Sequence, residues 1–533
     1  MVFSIILASV VLAILAANTV LELSRDLMMF QQNSYRAERY RRWLSESKDS
    51  TSLWRLAGII ILFIGLSTLS RPFGALALAG IFGLASAWSL SHRKYKKPLV
   101  WTARARRIYA VALLLAIAIC GACVALFDHG ETFEILYTAS LTLLGCYCGS
   151  HLIIVAANFI LKPVEKAITA RYCNDARRRL ESMPDLKIIG ITGSYGKTST
   201  KHYLHRILSE QFDTLMTPGS FNTTLGVVRT IREYLKPYNE VFIVEMGAKN
   251  VGDIKEICDL VHPTMGIITA VGPQHLESFK TIERVQATKF ELADALPADG
   301  VAIVNDDFEK IADRPVSNAE CLRYGVHAPK AAYRAENIKY TPMGTDFTIA
   351  GPDGWNLNLS TRLMGEANVS DLLAAAVAAH TLGVDDRKIA AAVASIEPVE
   401  HRLSVKRTPG GITILDDAFN SNPVGSRMAL EVLGSMKDGK RIVITPGMIE
   451  LGAEQYELNF QLGETIGRNV DVAIIVGEYN REALAEGVRA SGRLPEDKLH
   501  LVASFAEAQK VLASIVAKGD TVLYENDLPD TFK

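Results

Sequence analysis

The sequence predicts an α/β protein preceded by an all-α transmembrane domain. The first third of the chain is dominated by long apolar runs. Near residue 190 a short apolar strand runs into a glycine-rich loop and then a helical pattern. Towards the end, strand and helix patterns alternate as in a doubly wound fold. The 533 residues are enough for about three or four domains. A formal net charge of −1 argues against a nucleic-acid binder built on a basic face.

Five apolar stretches read as spanning helices, at roughly 2–21, 56–70, 72–91, 108–127 and 134–161. Arg71-Pro72 separates the second from the third, as in a tight hairpin. The first lacks a charged leader and a small-residue cleavage site, so it reads as a retained helix rather than a signal peptide. Basic residues set the orientation. Arg25, Arg36, Arg39, Arg41, Arg42 and Lys48 follow the first stretch, and Arg93, Lys94, Lys96, Lys97, Arg104, Arg106 and Arg107 follow the third. The acidic turn Asp128-His129-Gly130-Glu131 lies between the last two. Basic loops inside place everything after Lys162 in the cytoplasm of a multi-pass bacterial membrane protein. Those loops also offer a site for anionic membrane lipid. Of the seven cysteines, Cys120, Cys123, Cys146 and Cys148 sit in apolar runs and read as small apolar filler. No disulfide framework is implied, which suits a reducing compartment. His151 is the one ionisable residue this reading leaves inside a span, and the scarcity of such residues argues for an anchor rather than a transport path.

The strand Leu186–Thr192 leads into Gly193-Ser194-Tyr195-Gly196-Lys197-Thr198-Ser199-Thr200. Glycines let backbone N–H groups turn toward phosphate oxygens, and the following helix adds its positive dipole end. Lys197 is expected on the β/γ-phosphates and the Thr198 hydroxyl on Mg²⁺. The commoner G-x-x-x-x-G-K-[ST] spacing fails by one, because Ile191 stands where glycine is usual. Further on, Gly411–Asp416, Arg441–Thr445 and Val472–Val476 read as strands, with Gly425–Leu433 and Tyr456–Arg468 as helices. The expected domains are 1–165 in the membrane, 166–400 binding ATP, and 401–533 at the C-terminus.

Ile191-Thr192-Gly193-Ser194-Tyr195-Gly196-Lys197-Thr198 resembles the phosphate loop of the Mur ligase family, which carries this spacing variant, and the resemblance continues in order over most of 187–475. It is strongest to the branch that adds a dipeptide. It implies a role for each matching residue. Asn222, in Thr217–Gly226, would lie beside the reacting acyl group. Glu245, in Phe242–Ala248, and His275, in Gly272-Pro273-Gln274-His275-Leu276-Glu277, would be Mg²⁺ ligands. Lys289 stands fourteen residues after His275, where the family carbamylates a lysine. A CO₂-derived carbamate turns a cationic amine into an anionic oxygen ligand, which hard Mg²⁺ prefers. Asn305, in Val304–Asp307, would contact adenine. Asn368 would support the site, with Leu372–Ala379 forming an alanine-rich packing helix. Arg402 would reach the nucleotide across a hinge at Pro398–Leu403. Asp416 and Asp417, in Leu415–Pro423, would contact ribose. Gly193, Ser194, Gly196, Lys197, Thr198 and Ser199 complete the nucleotide cradle.

The sequence also departs from that pattern. Thr223 replaces a second asparagine, Ala367 a histidine and His401 a glycine, and Pro446–Gly452 lacks an aspartate. Tyr524–Asp530 stands where a K-G-S segment is usual, and membrane helices stand where a UDP-binding domain is expected. The resemblance implies an ATP-dependent ligase of peptidoglycan-precursor synthesis. A substrate carboxylate becomes an acyl phosphate, which an amino acid or a dipeptide such as D-alanyl-D-alanine attacks, with ATP and two Mg²⁺ ions. The membrane helices add the expectation of a membrane-linked donor. A poly-γ-glutamate, folylpolyglutamate or other capsule-type ligase is a second reading, and a catalytically degenerate membrane scaffold a third. The scaffold predicts damaged positions, yet Lys197, Thr198, Glu245, His275, Lys289, Asn305 and Arg402 keep the expected chemistry.

Overall fold

The computed structural model describes residues 2–527 apart from 48, 50–51, 68–71, 94, 96, 127–129, 342–343, 400–401 and 419–421. Lys48, Arg71, Lys94, Lys96, Asp128, His129, His401, the 419–421 part of the Leu415–Pro423 string and the chain end from Leu528 therefore lie outside the described residues. One compact unit ends at Thr169, and a second runs from Ala170 to Asp527.

The first unit is all helical: α1 (Val2–Gln32), α2 (Ala37–Glu46), α3 (Leu53–Ser67), α4 (Pro72–His92), α5 (Ala103–Leu126), α6 (Thr132–Cys148) and the start of α7 (Ser150–Glu181). Among the described residues α1, α4 and α5 are long and apolar enough to cross a membrane, and the α6–α7 pair makes a fourth if a 78° bend is one span. Two of the five expected stretches differ in detail among the described residues. Helix α3 has only 15 residues, and the stretch 134–161 is not one helix. It bends by 78° at Gly149, where groups on both sides of the break bond other helices. Arg55 Nη1 donates to the Cys148 carbonyl at 2.9 Å, and Ser150 Oγ donates to Asp26 Oδ2 at 2.5 Å.

Arg55 joins His151 to a cluster of charged groups buried among the helices. Helix α1 runs on to Gln32 instead of ending near Leu21, which carries Glu22, Arg25 and Asp26 into the helix rather than a basic loop. Arg55 Nη2 donates to Glu22 Oε1 at 2.9 Å and to both Asp26 oxygens at 2.9 and 3.0 Å. Its Nη1 lies 2.9 Å from His151 Nδ1. The Arg55 side chain is 1% exposed, so removing it takes one of two guanidinium partners from two buried carboxylates and leaves them to Arg25, 3.0 Å from Glu22 and 3.6 Å from Asp26. Breaking a buried pair in this way costs about 3–5 kcal/mol. Arg55→Met is therefore expected to lower the thermal midpoint of the first unit in detergent by several degrees. Loss of the exposed Arg229–Glu233 pair should leave the midpoint unmoved, and scanning fluorimetry of the two variants checks this.

The second unit is built on two sheets. The larger contains β1 (Lys187–Thr192), β2 (Thr214–Met216), β3 (Val241–Glu245), β4 (Met265–Ile268), β5 (Val301–Asn305), β6 (Glu320–Gly325), β7 (Tyr333–Thr341), β8 (Gly344–Ala350) and β9 (Asn356–Thr361), in the order 2-3-1-4-5-6-7-8-9. Strands β2 to β7 are parallel around β1, and β7, β8 and β9 form an antiparallel meander. The continuous apolar runs of β1 and β3 are what a sheet covered on both faces requires. One face packs on helix Lys197–Leu208 (α8) and the alanine-rich helix Glu366–Thr381, the other on helices that include Asp253–Val261 and Ile282–Asp294. Small residues at 374–379, all fully buried, let the second of these helices lie close to the sheet.

The smaller sheet contains β10 (Ser404–Arg407), β11 (Thr413–Asp417), β12 (Arg441–Thr445), β13 (Val472–Val476), β14 (Leu499–Val502) and β15 (Thr521–Glu525), in the order 10-11-15-12-13-14. All its neighbours are parallel except β10 with β11. The expected strands at 441–445 and 472–476 are observed, and the one expected at 411–416 is shifted to Thr413–Asp417. The helices expected at 425–433 and 456–468 are observed as Pro423–Ser435 and Gln455–Asn469. The predicted α/β class with a helical region in front is borne out.

Candidate active site

In a parallel sheet, ligands bind beyond the carboxyl ends of the strands, where the strand order reverses. Here that point is β1, because β3 pairs on one side and β4 on the other. Register aligns Ile191 with Glu245 and Thr192 with Ile268, and Ile268 with Val304. The phosphate loop, Glu245, the turn to His275 and Asn305 therefore emerge from one edge of the sheet.

Two glycines of the loop are demanded by geometry. Gly193 has φ +154° and Gly196 φ +80°, values that favour glycine. A Cβ at Gly193 would collide with Thr269 Oγ1, and one at Gly196 with Asp371 Oδ1. Gly196 caps α8 without a side-chain bond, so the first backbone N–H groups of that helix are available for an anion. Lys197 Nζ lies back over the loop, donating to the Gly193 carbonyl at 2.5 Å and the Ser194 carbonyl at 3.3 Å. Burial pushes its ammonium down to about 8, opposed by Glu245 and assisted by Arg402. Ser194 Oγ donates to the Gly272 carbonyl at 3.1 Å. Thr198 and Ser199 follow in the first turn, both half-buried.

Glu245 is 1% exposed. Burial alone would raise its carboxyl, but Lys201, Lys197 and the Asn222 amide overcome this and hold it below the ordinary range. Asn222 Nδ2 donates to Glu245 Oε1 at 3.0 Å, and Lys201 Nζ lies 3.0 Å from Glu245 Oε2. Lys201 also donates to the Gly219 carbonyl at 2.6 Å, tying the Thr217–Gly226 loop to the phosphate-loop helix. His275 has φ +53° and starts helix Leu276–Phe279. Its Nδ1 makes a short contact with a Glu450 carboxylate oxygen. Burial lowers its imidazolium and Glu450 opposes that. Lys289 lies on helix Ile282–Asp294, 2% exposed. Burial, reinforced by Lys197, pushes its ammonium well below the ordinary lysine range.

Asn305 is engaged by protein on both sides of its amide. Its Nδ2 donates to the Thr269 carbonyl at 2.9 Å and to Ser370 Oγ at 3.1 Å, while its Oδ1 accepts from the Asp307 N–H at 3.1 Å. Asn368 accepts from the Tyr203 hydroxyl at 2.6 Å and donates to the Met364 carbonyl at 2.7 Å. From the smaller sheet, Arg402 lies within electrostatic reach of Asp417, Glu245 and Asp371, and burial lowers its guanidinium. Asp417 Oδ1 accepts from the Leu403 N–H at 3.1 Å. Its carboxyl is pushed up to about 7 by burial and by Glu525. Asp416 Oδ2 lies 3.1 Å from Lys406 Nζ.

Three site residues escaped the sequence reading. Lys201 stands one helical turn after Lys197, and that helical spacing was the one available signal. Asp371 accepts from Thr200 Oγ1 at 3.1 Å, and burial pushes its carboxyl up to about 8. It lies inside the alanine-rich helix, where nothing in the pattern marked it. Glu450 was in view only as part of a string that had lost its aspartate. Lys201→Met would leave the buried Glu245 carboxylate without its ion pair, at a cost of about 3–5 kcal/mol. The expected result is a lower thermal midpoint without ligand, and a larger gain than wild type on adding Mg²⁺ with a non-hydrolysable ATP analogue.

Among the described residues no three His, Cys, Asp or Glu side chains cluster as a metal cage. One carboxylate, one hydroxyl and one imidazole beside a phosphate loop instead fit Mg²⁺ held partly by substrate phosphates.

A phosphate loop at the switch point of a parallel sheet, followed by a second, smaller α/β sheet, defines the class of a nucleotide-dependent α/β enzyme. Residues 191–379 match the Mur ligase middle domain, and 401–524 match the Mur ligase, glutamate ligase domain. The chain is 30% identical over 339 residues to the UDP-N-acetylmuramoyl-tripeptide–D-alanyl-D-alanine ligase of Escherichia coli (strain K12), covering 62% of this chain and 74% of that protein. It is 26% identical over 345 residues to the ligase of the same name from Bacillus subtilis (strain 168), covering 64% and 72%. MurF from Acinetobacter baumannii superposes with a TM-score of 0.61 at 26% identity, over 67% of this chain and 77% of that one. MurF ligase from Thermotoga maritima in complex with ADP gives 0.58 at 26%, over 67% and 80%. The chain belongs to the Mur ligase family, and it is an ATP-dependent ligase.

Proposed function

We propose that this ligase joins a dipeptide, D-alanyl-D-alanine, to the carboxylate of a peptidoglycan precursor. The observation that carries the reading is Glu245, Asn222 and Lys201 bonded together beside Lys197, which ties the loop expected at the acyl group to the phosphate site. The donor carboxylate and the γ-phosphate are both anionic, so charge neutralisation is the main need. Lys197 would turn from the Gly193 carbonyl to the phosphates, and Arg402 would add a second cation from the smaller sheet. Asn222 would orient the donor. The carboxylate oxygen attacks the γ-phosphorus and ADP leaves. The amine then attacks the acyl carbon, phosphate leaves with the carboxylate oxygen, and the amine gives up its proton.

Thr198, Glu245, His275 and a carbamylated Lys289 would hold Mg²⁺, which supplies positive charge to the phosphates when bound. Carbamylation needs a neutral amine to attack CO₂, forming N–C and releasing one proton. The burial that lowers the Lys289 ammonium provides that amine.

The helical unit supports a membrane-associated donor, with the second unit on the cytoplasmic side as the basic residues indicate. Confinement of enzyme and donor to one surface raises effective concentration without new contacts. The test is product analysis by mass spectrometry, offering ATP and D-alanyl-D-alanine with either UDP-linked muramoyl tripeptide or its lipid-linked form. Amide product from the lipid-linked form supports the full reading. Product from the soluble form alone rejects the membrane-linked donor and leaves the ligase. Product from neither, with poly-γ-glutamate formed when glutamate and ATP are offered in their place, would replace the reading with the capsule-type one.

A further inference from the structure

The loop after β12 carries Met448 and Leu451 into the core of the smaller sheet, 1% and 2% exposed. Between them Glu450 points the other way and reaches the larger sheet's lobe. Its Oε1 lies 3.1 Å from Lys249 Nζ, and its Oε2 makes the short contact with His275 Nδ1. Its carbonyl accepts from the Glu277 N–H at 3.2 Å. Two residues on, Gly452 sits so close that a Cβ would lie 3.2 Å from the Glu277 nitrogen and the Leu276 carbonyl carbon. Glu450 has φ +62° and His275 φ +53°, left-handed values that a non-glycine residue adopts at a cost of roughly 1–3 kcal/mol. Two such residues meet across the junction of the lobes.

From this we infer that Glu450 is a positioning residue for His275, which makes the orientation of the imidazole depend on docking of the C-terminal lobe. A carboxylate at Nδ1 holds the ring proton there and leaves the Nε2 lone pair as the one free to take a cation. A glutamate supplied by the opposite lobe does this only when that lobe is seated, so docking and completion of the cation site become one event. Gly447, where the family pattern has aspartate, cannot share the task. Its φ is +78°, and a Cβ there would meet Asn459, Asn480 and Leu484. The inference rests on the reading of His275 as a metal ligand.

The test uses the full chain in detergent and two readouts that need neither acyl donor nor amine, so its outcome is separate from that of the substrate assay. Mn²⁺ affinity is measured by electron paramagnetic resonance in the presence of a non-hydrolysable ATP analogue. Hydrogen exchange is followed over residues 275–280. Glu450→Ala is expected to weaken Mn²⁺ binding by about tenfold and to speed exchange at 275–280. Glu450→Gln, which keeps an oxygen to accept from Nδ1, should lose less affinity. A merely structural bridge would change exchange and leave Mn²⁺ affinity alone. Wild-type Mn²⁺ affinity in Glu450→Ala overturns the inference, as does unchanged exchange at 275–280 or a wild-type protein that binds no Mn²⁺ with the analogue.

Discussion

Lys197→Ala is expected to lower the rate of ATP-dependent amide formation by about 10³-fold, the scale on which a pre-organised charge partner acts in phosphoryl transfer. The structure gives the reason. Lys197 is anchored at the first turn of α8, and its amine already bonds the loop carbonyls that surround the expected phosphates. No second cation can replace it from the same place, because Lys201 is committed to Glu245 and Gly219. The fold should survive, since Lys197 forms no ion pair among the described residues. The check is the steady-state rate of amide product, with nucleotide binding and thermal midpoint as controls. A variant that keeps a tenth of wild-type activity would remove Lys197 from the chemistry.

The second large effect concerns Lys289. Lys289→Met should cost about 10²-fold in rate, and the wild-type enzyme should lose activity when CO₂ and bicarbonate are removed and regain it when they return. The pH dependence has a definite sign. Burial lowers the folded-state ammonium, so the amine is neutral and able to add CO₂ above that lowered value, and it protonates below it. Activity limited by this group should therefore fall as pH falls. A CO₂-independent rate would reject the carbamate while leaving the phosphate loop untouched.

Much of this was legible because the phosphate loop and the strand ends are local. A strand, a glycine that must adopt positive φ and a helix that begins at Lys197 leave a recognisable string, Glu245 and Asn305 sit where strands stop, and His275 lies in the turn that follows β4. Partnerships between distant segments were not legible. Lys201 gives no local sign that it will pair with Glu245 across a strand, and Asp371 lies 175 residues beyond Gly196. Glu450 acquires its role only when the two lobes meet. The membrane unit shows the same limit. Hydropathy located the apolar stretches, but not that Arg55 bonds the Cys148 carbonyl at the end of α6 and Asp26 on another helix. A count of apolar residues carries no information about those bonds.

The most direct test of acyl-phosphate ligation is to follow oxygen. The donor carboxylate is enriched in ¹⁸O, and phosphate released during amide formation is analysed by mass spectrometry. If the carboxylate attacks the γ-phosphorus and is later expelled with phosphate, each phosphate carries one ¹⁸O from the donor, in proportion to amide formed. Unlabelled phosphate accompanying amide product would mean that the carboxylate is activated by another route, and would contradict the account.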